Sequence, residues 1–178
     1  MSLDLGPTIA DLKRDEGFSA TGYPDPDSPL GEACREAKIE PERFRDLPGW
    51  QALSGAPWTV GYGCTGPQIG PDTVWTDEEA QGDLAARVTD LAAELARALA
   101  WFPALAEPRA SALVNMAYNM GFGGLLGFHD TLTLMASANW QAASVAMLES
   151  KWARQLPERA ARLSNMVRTG LRTIPAGG

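Results

Sequence analysis

Apolar and polar positions change period several times along the chain. Ile9 and Leu12 share one face of a short helix over 9–15; Thr8 is placed to cap it and Gly17 to end it. In WTVGYG, residues 58–63, glycine alternates with larger residues, which predicts a short strand approached closely by another backbone or by a ligand. Thr76-Asp-Glu-Glu79 reads as a capping box with acids in the first turn. It opens a helix reaching about Ala100, with Leu84, Val88, Leu91, Leu95 and Leu99 as its apolar stripe. EPRASALVNMAYNMG, residues 107–121, is apolar all round, with Pro108 near the start and Gly121 beyond the end, and predicts a central core helix. Asn115 and Asn119 within it must find partners or line a cleft.

Further helices are expected over 130–136, 139–153 and 157–168, with a loose tail from about 171 to 178. In the segment 27–56, SPLGEACREAKI and EPERFRDL each carry a Pro near the start of a run of helix formers. Ile39, Phe44, Leu47, Trp50 and Leu53 give that segment enough apolar surface to pack. The pattern predicts an α+β fold in a single domain over 1–178. A small β-containing N-terminal lobe and a helical C-terminal lobe would be joined by a long helix, with a cleft between them.

Composition narrows the classes of function. The 178 residues are 45% hydrophobic, enough for a core, and no run approaches the roughly 20 apolar residues of a membrane span. A net charge of −7 argues against a nucleic-acid partner. Lys151, Arg154, Arg159, Arg162, Arg168 and Arg172 nonetheless make residues 151–172 locally basic, either to face an anionic polymer or to balance the acidic remainder. The start MSLDLGPTIADLKRDEG has neither a basic n-region nor an apolar h-region, so no export signal is expected. Two cysteines and one histidine are too few for the usual zinc sets, and no metal or cofactor is expected. His129, in GFHDTL, lacks a supporting nucleophile motif and reads as a loop or surface residue.

The chemistry concentrates near the N-terminus. Glu16 ends the first helix, Tyr23 and Asp25 follow, and Thr59 precedes Val-Gly-Tyr-Gly. A protonated Glu and an ionised Asp across a cleft suit glycoside hydrolysis, one donating to the leaving oxygen and the other activating water. A Thr hydroxyl could hold that water. Solvated surface charges are the alternative reading of the same acids.

The motifs E-G-F at 16–18, Y-P-D-P at 23–26 and P-W-T-V-G-Y-G at 57–63 resemble those of the phage-type lysozymes, the muramidase endolysins of the T-even class. The resemblance continues through WTDEEAQGDL, ALVNMAYNMGFGGLLGF and NWQAASVAMLESKWARQLPERAARLSNMVRTG, and leaves out mainly 27–56 and the tail. It implies Glu16 as general acid and Asp25 with Thr59 positioning the attacking water. It further implies inverting cleavage of the β-1,4 bond between N-acetylmuramic acid and N-acetylglucosamine in bacterial peptidoglycan. Arg159 matches an Arg that approaches the catalytic Glu, and Tyr118, Asn119 and Thr131 match residues lining the glycan cleft.

The chain departs from that family in three respects. Asp25 and Thr59 lie 34 residues apart (59 − 25), where the family keeps them on one hairpin, so 27–56 reads as an insertion. Closing such a loop costs only about 0.6 kcal/mol per doubling of length, so the two residues can remain neighbours. Asp27 is a weaker candidate for the Asp role. Cys64 stands where the family often has His; a Cys34–Cys64 disulfide would pin the segment to the strand, and two free thiols are the alternative. The net acidity is unusual for an enzyme acting on anionic walls.

The combined expectation is a monomeric endolysin. It would be made in the host cytoplasm without a membrane anchor and act on peptidoglycan in the periplasm after holin-dependent release. A non-catalytic peptidoglycan-binding or inhibitory module with the same fold is one rival; a wall amidase or peptidase using Cys64 and His129 is another.

Overall fold

A computed structural model describes residues 3–172; the end of the expected tail, 173–178, lies outside the described residues. The described chain forms two compact units, Leu12–Ala86 and the remainder, with boundaries inside two helices.

The unit Leu12–Ala86 is built on a three-stranded antiparallel sheet. The first helix, α1 (Gly6–Glu16), delivers Glu16 at its last position, and Gly17 follows at φ +69°. Strand β1 (Ser19–Pro24), not anticipated from the sequence, pairs with β2 (Trp58–Gly61), and β2 pairs with β3 (Cys64–Thr65). The register sets Tyr23 opposite Thr59 and Pro24 opposite Trp58.

The segment between β1 and β2 folds as a small core of its own. Helix α2 (Pro29–Ala37) starts at Ser28, whose side chain accepts from Gly31 N, and two 3-10 turns follow at Pro41–Asp46 and Trp50–Ala52. Leu30, Cys34 and Phe44 are fully buried together, with Ile39, Leu47, Trp50 and the strand residue Trp58 packed against them. Phe44 meets Trp50 and Trp58 edge-on at 4.9 and 5.1 Å between ring centroids. Leu53, expected to join this core, is instead exposed.

Thr76 and Glu79 form the expected capping box: Glu79 Oε2 accepts from Thr76 N (2.7 Å), and Thr76 Oγ1 accepts from Glu79 N (3.2 Å). The helix it opens, α3 (Asp77–Ala98), buries Leu84, Val88 and Leu95 completely.

The other unit is helical. It comprises α4 (Glu107–Met120), α5 (Phe122–Leu126), α6 (His129–Ala136), α7 (Trp140–Leu148), α8 (Lys151–Gln155) and α9 (Pro157–Thr169). Residues 110–117 of α4 are all buried, as its uniform apolarity predicts. Leu113, Met116, Leu125, Met135, Met147, Leu163 and Met166 are among the fully buried side chains of this core.

Two local expectations need correction, and one helix was not anticipated. Thr8 lies inside α1, not at its cap, and its hydroxyl bonds Ser111 Oγ. The helix expected over 139–153 is broken at Glu149–Ser150, because the Ser150 side chain caps a new helix by accepting from Ala153 N. Helix α5, reading FGGLL, escaped the pattern because two glycines disfavour a helix that the burial of Leu125 supports.

The basic end also resolves. Arg172 donates to Asp11 Oδ2 (2.5 Å), Ser111 Oγ (2.7 Å) and both carboxylate oxygens of Glu107, and Arg162 lies 3.6 Å from Asp11. These two cations join the ends of their own unit instead of facing a polymer.

Candidate active site

Glu16, Asp25 and Thr59 all belong to the unit Leu12–Ala86. Each reaches its place for a local reason. Glu16 is half-buried at the last turn of α1, and Gly63, at φ +78° in the turn after β2, passes beside it. A methyl group at position 63 would sit 3.7 Å from Glu16 Oε2. The positive φ explains why glycine occupies this position.

Asp25 follows β1 directly, and its backbone is held from both sides. Its N–H donates to Gly55 O (3.1 Å) and Pro57 O (3.0 Å), and its carbonyl accepts from Ser28 N (3.0 Å) and Ser28 Oγ (2.6 Å). Leu30 N donates to Ser54 O at 2.9 Å, so the chain leaves and re-enters the strand pair at one point. Oδ1 of Asp25 accepts from Asp27 N (2.8 Å), which makes Asp27 a turn partner and leaves its own carboxylate exposed. Gly31 lies so close that a Cβ there would fall 2.0 Å from the Asp25 carbonyl oxygen.

Tyr23 ties the three together. It faces Thr59 across the ladder and its hydroxyl shares a hydrogen bond with the Thr59 side chain. Burial raises the Tyr23 phenol above its ordinary value. The negative charge of Glu42 adds to this, as do those of Glu16 and Asp25, while the Thr59 hydrogen bond opposes. The phenol is therefore neutral and sits within the field of all three carboxylates. The sequence quoted Tyr23 only as part of a motif. Glu42, on the 3-10 turn Pro41–Asp46, was missed, because nothing in the sequence shows which side of that turn faces β1.

The remaining candidates lie in the helical unit. Arg159 Nε donates to Asn115 Oδ1 at 2.8 Å, and Trp152 Nε1 donates to Asn119 Oδ1 at 2.9 Å, so both asparagines of α4 have found partners. The Arg87 guanidinium stacks 4.7 Å above the half-buried Tyr118 ring. Thr131 is 2% exposed and lines an open pocket of about 410 Å³ with Gly127, Phe128, His129, Asp130, Ala146, Glu149 and Ser150.

Cys34 and Cys64 are both buried free thiols, in separate clusters, and no disulfide joins them. Burial raises the Cys34 thiol, and Cys64 Sγ lies 3.6 Å from Asp83 Oδ1. Among the described residues no three His, Cys, Asp or Glu side chains gather as a metal site, and no helix is long and apolar enough to cross a membrane.

Taken together, the small antiparallel sheet and helical remainder make this an α+β protein of the lysozyme-like class. The phage lysozyme family profile matches residues 13–169, and the chain belongs to that family. Over 67 residues it is 39% identical to the pre-baseplate central spike protein Gp5 of Enterobacteria phage T4, a match covering 38% of this chain and 12% of that protein. Over 62 residues it is 34% identical to probable T4-type lysozyme 1 of Dictyostelium discoideum and 32% identical to probable T4-type lysozyme 2. Each of these matches covers 35% of this chain and 36% of the relative.

Proposed function

We propose that the protein is a muramidase that hydrolyses the β-1,4 bond between N-acetylmuramic acid and N-acetylglucosamine in peptidoglycan. Glu16 is its general acid, and Asp25 with Thr59 holds the attacking water. The observation that supports this reading is the strand register, which sets Thr59 opposite Tyr23, two residues from Asp25 along the chain, despite the 34 residues between Asp25 and Thr59. Membership of the phage lysozyme family supports the reaction class. An inverting displacement needs a water between two carboxyl groups about 6.5–9.5 Å apart.

Residues 27–56 are read as an insertion that borders this site through Glu42. The biological role proposed is that of an endolysin acting on peptidoglycan in the periplasm after release through a holin, as a monomer.

The test is muropeptide analysis of purified peptidoglycan digested by wild type and by Glu16→Gln. New reducing N-acetylmuramic ends from wild type, lost in the variant, are expected. Anhydro-muramic products would replace hydrolysis with transglycosylation and remove the water-holding role of Asp25. A folded wild type that releases no sugar ends would refute the enzyme reading. A variant lacking 30–54 is expected to change the range of muropeptides released; an unchanged range would leave the insertion without a role at the site.

A further inference from the structure

Helix α1 carries Glu16 at its last position and has little apolar anchorage of its own. Among residues 6–16 only Thr8 and Leu12 are buried, and one of these is polar. A helix of 11 residues is marginal in water without packing. Polar contacts must therefore supply much of what keeps α1 wound.

Those contacts converge on Arg172. Gly170, at φ +70°, ends α9 and turns the chain back; a Cβ there would fall 2.8 Å from Arg109 Nη1, so the turn is reserved for glycine. Two residues on, the Arg172 fork reaches two helices at once. Nη1 donates to Asp11 Oδ2 on α1 (2.5 Å), while Nε (3.1 Å) and Nη2 donate to the Glu107 carboxylate in the first turn of α4. Nη2 also donates to Ser111 Oγ (2.7 Å). The Ser111 hydroxyl gives its one proton to Glu107 Oε1 (2.6 Å), so the Thr8 hydroxyl is the donor in its bond to Ser111. Thr8 and Asp11 of α1 thus hang on one connected set of hydrogen bonds. Arg162, 3.6 Å from the same Asp11 oxygen, adds charge. Burial alone would lower the Arg172 guanidinium; its hydrogen bonds to Glu107 and Asp11, and their charges, outweigh burial and raise it above its ordinary value. A planar fork can serve both carboxylates together, which a single ammonium cannot.

We infer that Arg172 is a positioning residue for Glu16: it holds the first turns of α1 and so keeps the last turn, which presents Glu16, from fraying. Helix formation is cooperative, so releasing the start of a helix this short loosens its end. The role of Glu16 rests on the muramidase reading; the mooring of α1 does not.

The test compares Arg172→Ala and Arg172→Lys with Met135→Ala, a buried residue in the core of the same unit and outside the clasp. Amide hydrogen exchange in the full chain is read at 13–16, with 113–116 of α4 as the internal reference. Arg172→Ala is expected to speed exchange at 13–16 about tenfold relative to the reference, the size of one hydrogen bond to a charged group, and Met135→Ala to leave that ratio unchanged. On peptidoglycan, kcat is expected to fall about threefold to tenfold with KM unchanged, and Arg172→Lys to recover part of both effects. Should Arg172→Ala fail to fold, the lysine variant carries the same comparison. An unchanged exchange ratio would overturn the inference. So would faster exchange at 13–16 with full kcat, or an equal fall in kcat in Met135→Ala, which would reduce the clasp to general stability. A wild type that cleaves no glycan, with the exchange pattern as expected, would keep the mooring and refute the muramidase reading alone.

Discussion

Removing the Phe44 ring tests whether the excursion between β1 and β2 is part of the cooperative unit that holds the site. Phe44 is fully buried, it meets the Trp50 and Trp58 rings edge-on, and the Arg45 guanidinium covers it at 4.6 Å. Truncating a buried Phe to Ala ordinarily costs about 3–5 kcal/mol. The two edge-to-face pairs place this one near the middle or upper part of that range, so Phe44→Ala is expected to cost about 4 kcal/mol. A domain has only about 5–15 kcal/mol in total, so the change would be plain in urea unfolding followed by circular dichroism and by tryptophan fluorescence.

The cost has a ceiling, because the excursion can open by itself. If it opens at less than 4 kcal/mol, the observed loss stops at that opening energy, and the slope m falls because part of the surface is already exposed in the folded state. Since Trp58 immediately precedes Thr59, opening should lower activity in proportion to the open fraction. A loss below about 1 kcal/mol with m and activity unchanged would refute the reasoning, for it would mean that this core carries neither stability nor the strand that presents Thr59.

Two further outcomes are expected. Tyr23→Phe removes only the hydroxyl that bonds Thr59; turnover should fall by about threefold to tenfold, the effect of one hydrogen bond, with substrate affinity little changed, and full turnover in the variant would deny Tyr23 a positioning role. Hydrogen bonds from the Thr76 backbone and hydroxyl hold the exposed Glu79 carboxylate below its ordinary value. A depressed folded-state value stabilises above the unfolded carboxylate range and is lost as pH falls through the folded value. Thr76→Ala should therefore destabilise the chain at neutral pH and flatten the decline in stability on acidification below about pH 4.5; a thermal-melt series unchanged in shape would contradict this.

The helices were legible where one face or the whole surface was apolar. The stripe through Leu84, Val88 and Leu95 and the apolar run in α4 needed no tertiary information. The break at Ser150 was not legible, because a capping side chain and an interior serine look alike until the turn is seen. Glu16, Asp25 and Thr59 were named from motif resemblance, and the strand register that joins Tyr23 to Thr59 was hidden by β1, whose SATGYP lacks a clean alternation and carries an irregular register.

The closed foot of the excursion also bears on how such chains diversify. Asp25 N bonds residues 55 and 57 while Leu30 N bonds Ser54, so the excursion closes at its foot, while its core packs on Trp58 and Arg45 reaches Pro71 O and Asp72. A segment rooted in this way can change in length at its far end without re-registering the strands beneath it, provided that the packing on Trp58 is kept. The same foot offers a grafting point at which a foreign recognition element could be mounted beside Asp25.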